Sequence, residues 1–126
     1  MTSYLLDSHV LVWWKERPES LSAAAQQSIV SGDNHLFFSH ASLWELNIKI
    51  GRGRLKLPEP IVDVVARMRC HLLPMTTEHI EKIQYLPDHH RDPFDRMLIA
   101  QAMTDGLTLV TRDRKIQQYE VTTLAA

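Results

Sequence analysis

Residues 90–113 read HRDPFDRMLIAQAMTDGLTLVTRD. Asp92 stands directly before Pro93, the pattern of a helix N-cap followed by proline at the first helical position. Met97, Leu98, Ile99, Ala100 and Ala102 carry apolar character along a helix to about Asp105, and Gly106 ends it. LTLVT at 107–111 is a short apolar run without polar alternation, which predicts a strand buried on both faces. A helix leading into a buried strand is half of a β–α–β unit.

Outward from this stretch the same alternation recurs. SYLL at 3–6 predicts a strand. A helix follows over 8–17, with Ser8 as a possible cap and Pro18 as its stop. Residues 19–31 predict a second helix, ended by Gly32, and HLFFS at 35–39 a second strand. ASLWELNIKI at 41–50 predicts a helix ended by Gly51 and Gly53, followed by a basic loop over 52–58. Pro58 and Pro60 prepare a helix over about 60–70, and HLLPM at 71–75 is a weaker strand. Thr76 or Thr77 caps a helix to about Leu86, residues 113–118 form a short turn or helix, and YEVTTL at 119–124 closes the chain as a strand. The expected fold is α/β: a three-layer αβα arrangement around a short, mostly parallel five-stranded sheet. The 126 residues suit one domain spanning 1–126.

Composition narrows the function classes. At 44% hydrophobic and 23% charged the chain suits a folded domain rather than a disordered one. Cys70 is the single cysteine, so neither an internal disulfide nor a cysteine zinc cluster can form. The apolar start is short, lacks a basic leader and is interrupted by Asp7 and His9, so a cytoplasmic, non-membrane protein is expected. The net charge of −1 is low for a nucleic-acid binder and directs attention to how the charge is distributed.

In an open parallel sheet, ligands bind outside the carboxyl ends of the strands, where right-handed crossovers also bring the helix N-termini. Asp7 ends the first predicted strand and Asp113 lies just past LTLVT. Glu45 lies in the early turns of one helix and Asp95 in the first turn of another. All four project to one edge. Two like charges about 4 Å apart cost roughly 4 kcal/mol at an effective dielectric of 20, so such a cluster calls for protonation, basic neighbours or a divalent cation. Oxygen donors without His or Cys select magnesium or manganese rather than zinc. Local readings compete: Ser42-x-x-Glu45 and Asp92-x-x-Asp95 both fit capping boxes, and Asp113 fits a turn.

YLLDSHVLVW, ASLWELNIKI, HRDPFDRMLIAQA and LVTRD, in that order, resemble the motifs of PIN domains, specifically the VapC-like toxins of bacterial toxin–antitoxin pairs. The resemblance spans nearly the whole chain. It implies a Mg2+- or Mn2+-dependent endoribonuclease with Asp7, Glu45, Asp95 and Asp113 as catalytic, metal-binding acids. It further implies support from Ser8 and Thr111, a subgroup acid at Asp92, an antitoxin that blocks the acidic groove, and a homodimer.

Cations gather beside these acids. Lys49, Arg52, Arg54, Lys56, Arg96 and Arg112 are the candidate RNA contacts, with the loop 51–56 foremost. The seven histidines show no spacing for a shared zinc site and read mostly as surface or supporting residues, and Trp13, Trp14 and Trp44 read chiefly as core. A dehalogenase-like phosphoryl-transfer enzyme would want an acid where His9 stands, and a receiver domain would want an acidic pair before Asp7. The remaining alternative is a non-catalytic RNA- or protein-binding module on the same scaffold.

Overall fold

The computed structural model describes residues 2–126. Five strands, β1 (Ser3–Leu6), β2 (His35–Ser39), β3 (Cys70–Leu73), β4 (Thr108–Thr111) and β5 (Thr123–Ala125), form one sheet in the order β3-β2-β1-β4-β5. Every pairing in it is parallel. Among the described residues six α-helices connect them: α1 (Ser8–Glu16), α2 (Ala23–Val30), α3 (His40–Gly51), α4 (Ile61–Arg67), α5 (Thr77–Lys82) and α6 (Pro93–Asp105).

Alternation along the strands divides the core between two faces. Leu6, Leu36, Phe38 and Val110 face a cluster built with Val10, Leu11, Ile29, Leu46 and Val64, from α1 to α4. Leu5 and Leu109 face the other cluster, with Leu98, Ile99 and Ala102 of α6. The predicted αβα layering follows from this division. No helix among the described residues is long and apolar enough to cross a membrane.

Several boundaries differ from the sequence reading, each for a local reason. The helix expected over 19–31 is a short 3-10 turn at Pro18–Ser20 and then α2, because Ser22 is the cap, its Oγ accepting from the Ala25 N–H at 3.0 Å. Its backbone N–H donates to the Ala126 carbonyl at 2.7 Å, which ties the entry of α2 to the chain's C-terminus. The helix expected to reach residue 70 stops at Arg67, because Arg69 adopts a left-handed φ of 57°. β3 starts one residue earlier than expected and ends before Pro74, which has no N–H for a ladder. The helix expected to reach Leu86 tightens to 3-10 at Ile83–Tyr85 before Pro87. The last strand holds three residues rather than 119–124, because Tyr119 is buried against α6 and the chain turns there, Val121 N–H donating to the Tyr119 carbonyl. Trp44, read as core, is 57% exposed and meets Phe94 edge-on, ring centroids 5.1 Å apart.

The topology positions the site. The chain runs β1, β2, β3 in one direction and then returns to place β4 on the other side of β1. The strand order therefore reverses between β1 and β4, the crevice where α/β sheets bind ligands. Asp7 follows β1 there, its N–H donating to the Val110 carbonyl at 3.0 Å, and Asp113 lies two residues past β4.

Candidate metal centre

Asp7 is 5% exposed and Glu45 7%, so both carboxylates need partners. Asp7 is the N-cap residue of α1, but its side chain caps nothing. One oxygen, Oδ2, accepts from the Thr111 hydroxyl at 2.7 Å; the other accepts from Ser8 Oγ at 3.3 Å. Ser8, a candidate cap by sequence, is instead the first residue of α1 and aims its hydroxyl at the acids. It reaches Glu45 Oε1 at 2.9 Å, and Lys49 Nζ lies 3.4 Å from the other oxygen of Glu45. Thr111 Oγ1 also accepts from the Asp113 N–H at 3.1 Å, which ties the end of β4 to the end of β1.

The capping alternatives resolve differently in the two helices. In α3 the cap is Ser39, whose Oγ accepts from the Ala41 N–H at 2.9 Å. Ser42 sits inside the helix with its buried hydroxyl unpartnered, so Ser42 and Glu45 form no capping box. Glu45, in the second turn, is left to face Asp7. In α6 Asp92 is the cap, its Oδ1 accepting from the Phe94 and Asp95 N–H groups at 2.8 and 3.2 Å. Asp95 makes no return bond to Asp92. The Asp92 N–H donates instead to His90 Nδ1 at 3.2 Å, and the Asp95 carboxylate is left to the site.

His90, which the sequence reading grouped with the surface or supporting histidines without singling it out, belongs to this centre. Its Nε2 lies 2.9 Å from Oδ2 of Asp113, to which it is hydrogen-bonded, and 2.9 Å from Oδ2 of Asp95. One ligand atom from each of His90, Asp95 and Asp113 lies within 4.8 Å of the others. His89, adjacent in sequence, turns away and packs edge-on against Tyr119. A histidine two residues before a helix cap is only a faint signal, because the loop that aims it is held by residues distant in sequence.

The electrostatics make a charge on Asp95 costly. Burial, then the charges of Asp7, Asp92, Glu45 and Asp113, push the Asp95 carboxyl up to about 8. At Asp113 partial burial works upward, but the His90 hydrogen bond, the Lys115 and Ile116 N–H groups and the charge of His90 outweigh it and lower the pKa. Four carboxylates thus share one sheet edge, with the Lys49 ammonium and the His90 and His9 imidazoles as the nitrogen groups nearest to them. Carboxylate oxygens predominate around this disfavoured charge, a chemistry that fits a hard divalent cation.

Of the expected RNA contacts, the structure keeps some free and engages others. Arg52, Arg54 and Lys56 are exposed beyond the end of α3, with Arg52 seven residues along from Glu45, about 10 Å of helical rise. Arg96 instead directs its guanidinium to the carbonyls of Pro87, His90 and Ile83 and to the Tyr119 hydroxyl. Arg112 lies 4.2 Å over the Trp13 ring and donates to the carbonyls of Ser20 and Ala126. In the folded chain both arginines thus brace carbonyls of the framework.

A family model described as PIN domain matches residues 4–121. The ribonuclease VapC22 of Mycobacterium tuberculosis strain H37Rv is 34% identical over 122 residues, covering 94% of this chain and 93% of that protein. Among solved structures, VapBC2 from Rickettsia felis, bound to a DNA fragment from its promoter, superimposes with a TM-score of 0.75 at 16% identity over 98% of each chain. DNA-bound VapBC from Salmonella typhimurium gives 0.72 at 17% identity, over 99% of this chain and 98% of that one. At such identities these two show a shared fold.

Proposed function

The chain belongs to the PIN domain family, and from that premise we propose that it is a metal-dependent endoribonuclease, the toxin of a toxin–antitoxin pair. The observation that carries this reading is the meeting of Asp7, Glu45, Asp95 and Asp113 where the strand order reverses, with Asp95 pushed up to about 8. The 34% identity to a ribonuclease supports the substrate class, and the likeness to VapBC assemblies supports an antitoxin partner. A homodimer, a cytoplasmic location and a single nuclease domain over 1–126 complete the proposal.

The four acids would hold Mg2+ or Mn2+. Bound there, the ion supplies charge that polarises a phosphodiester and lowers the pKa of water. The chain's own residues do the rest. Thr111 and Ser8 fix the oxygens of Asp7, and Ser8 also fixes Glu45, so these carboxylates do not have to reorganise on binding. Lys49 holds the outer oxygen of Glu45. The Asp92 cap sets the first turn of α6 and with it the position of Asp95. The exposed cations of the loop after α3 meet the phosphate backbone of the RNA.

The test is incubation of the purified protein, freed of antitoxin, with a mixed pool of structured RNAs in Mg2+, Mn2+ or EDTA. Cleavage that requires the metal is expected. A folded protein that cleaves nothing with either ion would contradict the enzyme reading and favour a binding module.

A further inference from the structure

We infer that His90 is a positioning residue of the metal centre: its imidazole N–H holds the carboxylates of Asp113 and Asp95 in place from outside the ligand set. This inference rests on the reading of the four acids as a metal site.

The geometry assigns the imidazole its role. His90 Nδ1 accepts from the Asp92 N–H at 3.2 Å, which leaves the proton of the neutral ring on Nε2. That N–H donates to Asp113 Oδ2 at 2.9 Å, and Asp95 Oδ2 lies beside it at the same distance. A metal-ligating histidine donates from its second ring nitrogen to a carbonyl, carboxylate or water. Here the second nitrogen faces a donor, and ligation through Nε2 would set two N–H groups against each other. Hard divalent ions also favour oxygen over imidazole. Both arguments place His90 as a donor to the acids rather than as a ligand.

The loop that carries the ring is held from several sides. The N–H groups of His89 and His90 both donate to the Tyr119 hydroxyl, at 3.1 and 2.9 Å. Arg96 donates to the His90 carbonyl at 3.3 Å and to that same Tyr119 oxygen at 3.1 Å. The Asp92 backbone that fixes Nδ1 belongs to the residue whose side chain caps α6. One loop therefore sets the start of the helix bearing Asp95 and the donor that links Asp95 to Asp113. Residues that orient metal ligands in this way typically change metal affinity about 10- to 100-fold when removed.

The experiment is Mn2+ titration by calorimetry on wild type, His90→Ala and His90→Gln, with thermal melts in EDTA to confirm folding. Electron spin-echo measurement of nitrogen coupling is made on the bound Mn2+ of the wild type. His90→Ala should bind Mn2+ about 10- to 100-fold more weakly. His90→Gln, whose amide can place an N–H near the Nε2 position, should recover part of the loss. The wild-type ion should show no directly bound nitrogen. A directly coordinated nitrogen would make His90 a ligand and overturn the inference. Unchanged affinity in a folded His90→Ala would reduce His90 to a structural role and also overturn it. Either of these results leaves the metal site standing, whereas a wild type that binds no Mn2+ removes the site and this inference together.

Discussion

The two halves of the acidic centre are built by different means. Asp7 and Glu45 are almost fully buried and held by hydroxyls close to the strand ends, Ser8 beside Asp7 and Thr111 at the end of the neighbouring strand. Asp95 and Asp113 are more open and meet through the imidazole of His90, which is carried on a loop fastened by Tyr119 and Arg96. The first half is rigid because its supports lie in the sheet and at the start of α1. The second depends on a chain segment without regular structure, and the strongest charge conflict lies there, at Asp95. One half is prefixed, and the other concentrates the electrostatic demand for a cation.

That contrast can be broken at several points. The largest effect is expected from Asp7→Asn. On the proposed function, losing this buried charge should cost cleavage about 100- to 1,000-fold while the metal-free protein stays folded, checked by RNA cleavage beside circular dichroism.

Asp95→Asn should act on stability in the opposite sense. A carboxyl at about 8 in the folded chain and near 3.8 when unfolded binds its proton more tightly in the folded state. Its contribution is fully present below about pH 4 and is lost as the pH rises through about 8. In EDTA the wild type should therefore lose stability across that window, and Asp95→Asn should flatten the loss. The variant should gain on the order of 2 kcal/mol at pH 8, less than the full shift implies because the site is partly solvated. Urea melts at pH 5 and pH 8.5 would show it; equal pH dependence in both proteins would mean that Asp95 is not the strained acid.

Tyr119→Phe removes the acceptor of three N–H donors and should destabilise by about 1–3 kcal/mol. It should also raise hydrogen exchange at His89 and His90 while the amides of β1 stay protected. Exchange that rises equally in both halves would erase the distinction between them.

The sequence carried the fold well where elements end on strong local signals. Asp92-Pro93 at one end of α6 and Gly106 at the other bracket it as expected, and the buried runs 3–6, 35–39 and 108–111 are strands. Placing Asp7 and Asp113 on one edge needed no more than strand ends and right-handed crossovers. What escaped was settled by distant partners. The start of α2 depends on Ser22 meeting the C-terminal residues, a contact across about a hundred positions. Arg96 and Arg112 look like free cations in sequence, and only the folded chain brings the carbonyls and the Trp13 ring that engage them. His90 was hidden for the same reason, since its aim comes from Tyr119, 29 residues away.

The smallest expected effect lies outside both halves. Neutralising Arg52 and Arg54 together should leave metal binding intact and lower the salt slope of RNA binding by about 1.4, the amount for two phosphate contacts on a single strand. An unchanged slope would remove the loop after α3 from the interface.

On the proposed function, the two halves serve one ion. Mn2+ titration of wild type, Asp7→Asn and Asp113→Asn tests it most directly, because each variant disables one half. Both variants should lose at least about tenfold in affinity for the same ion. If either binds Mn2+ as the wild type does, the acids do not form a single centre and the proposed metal site is wrong.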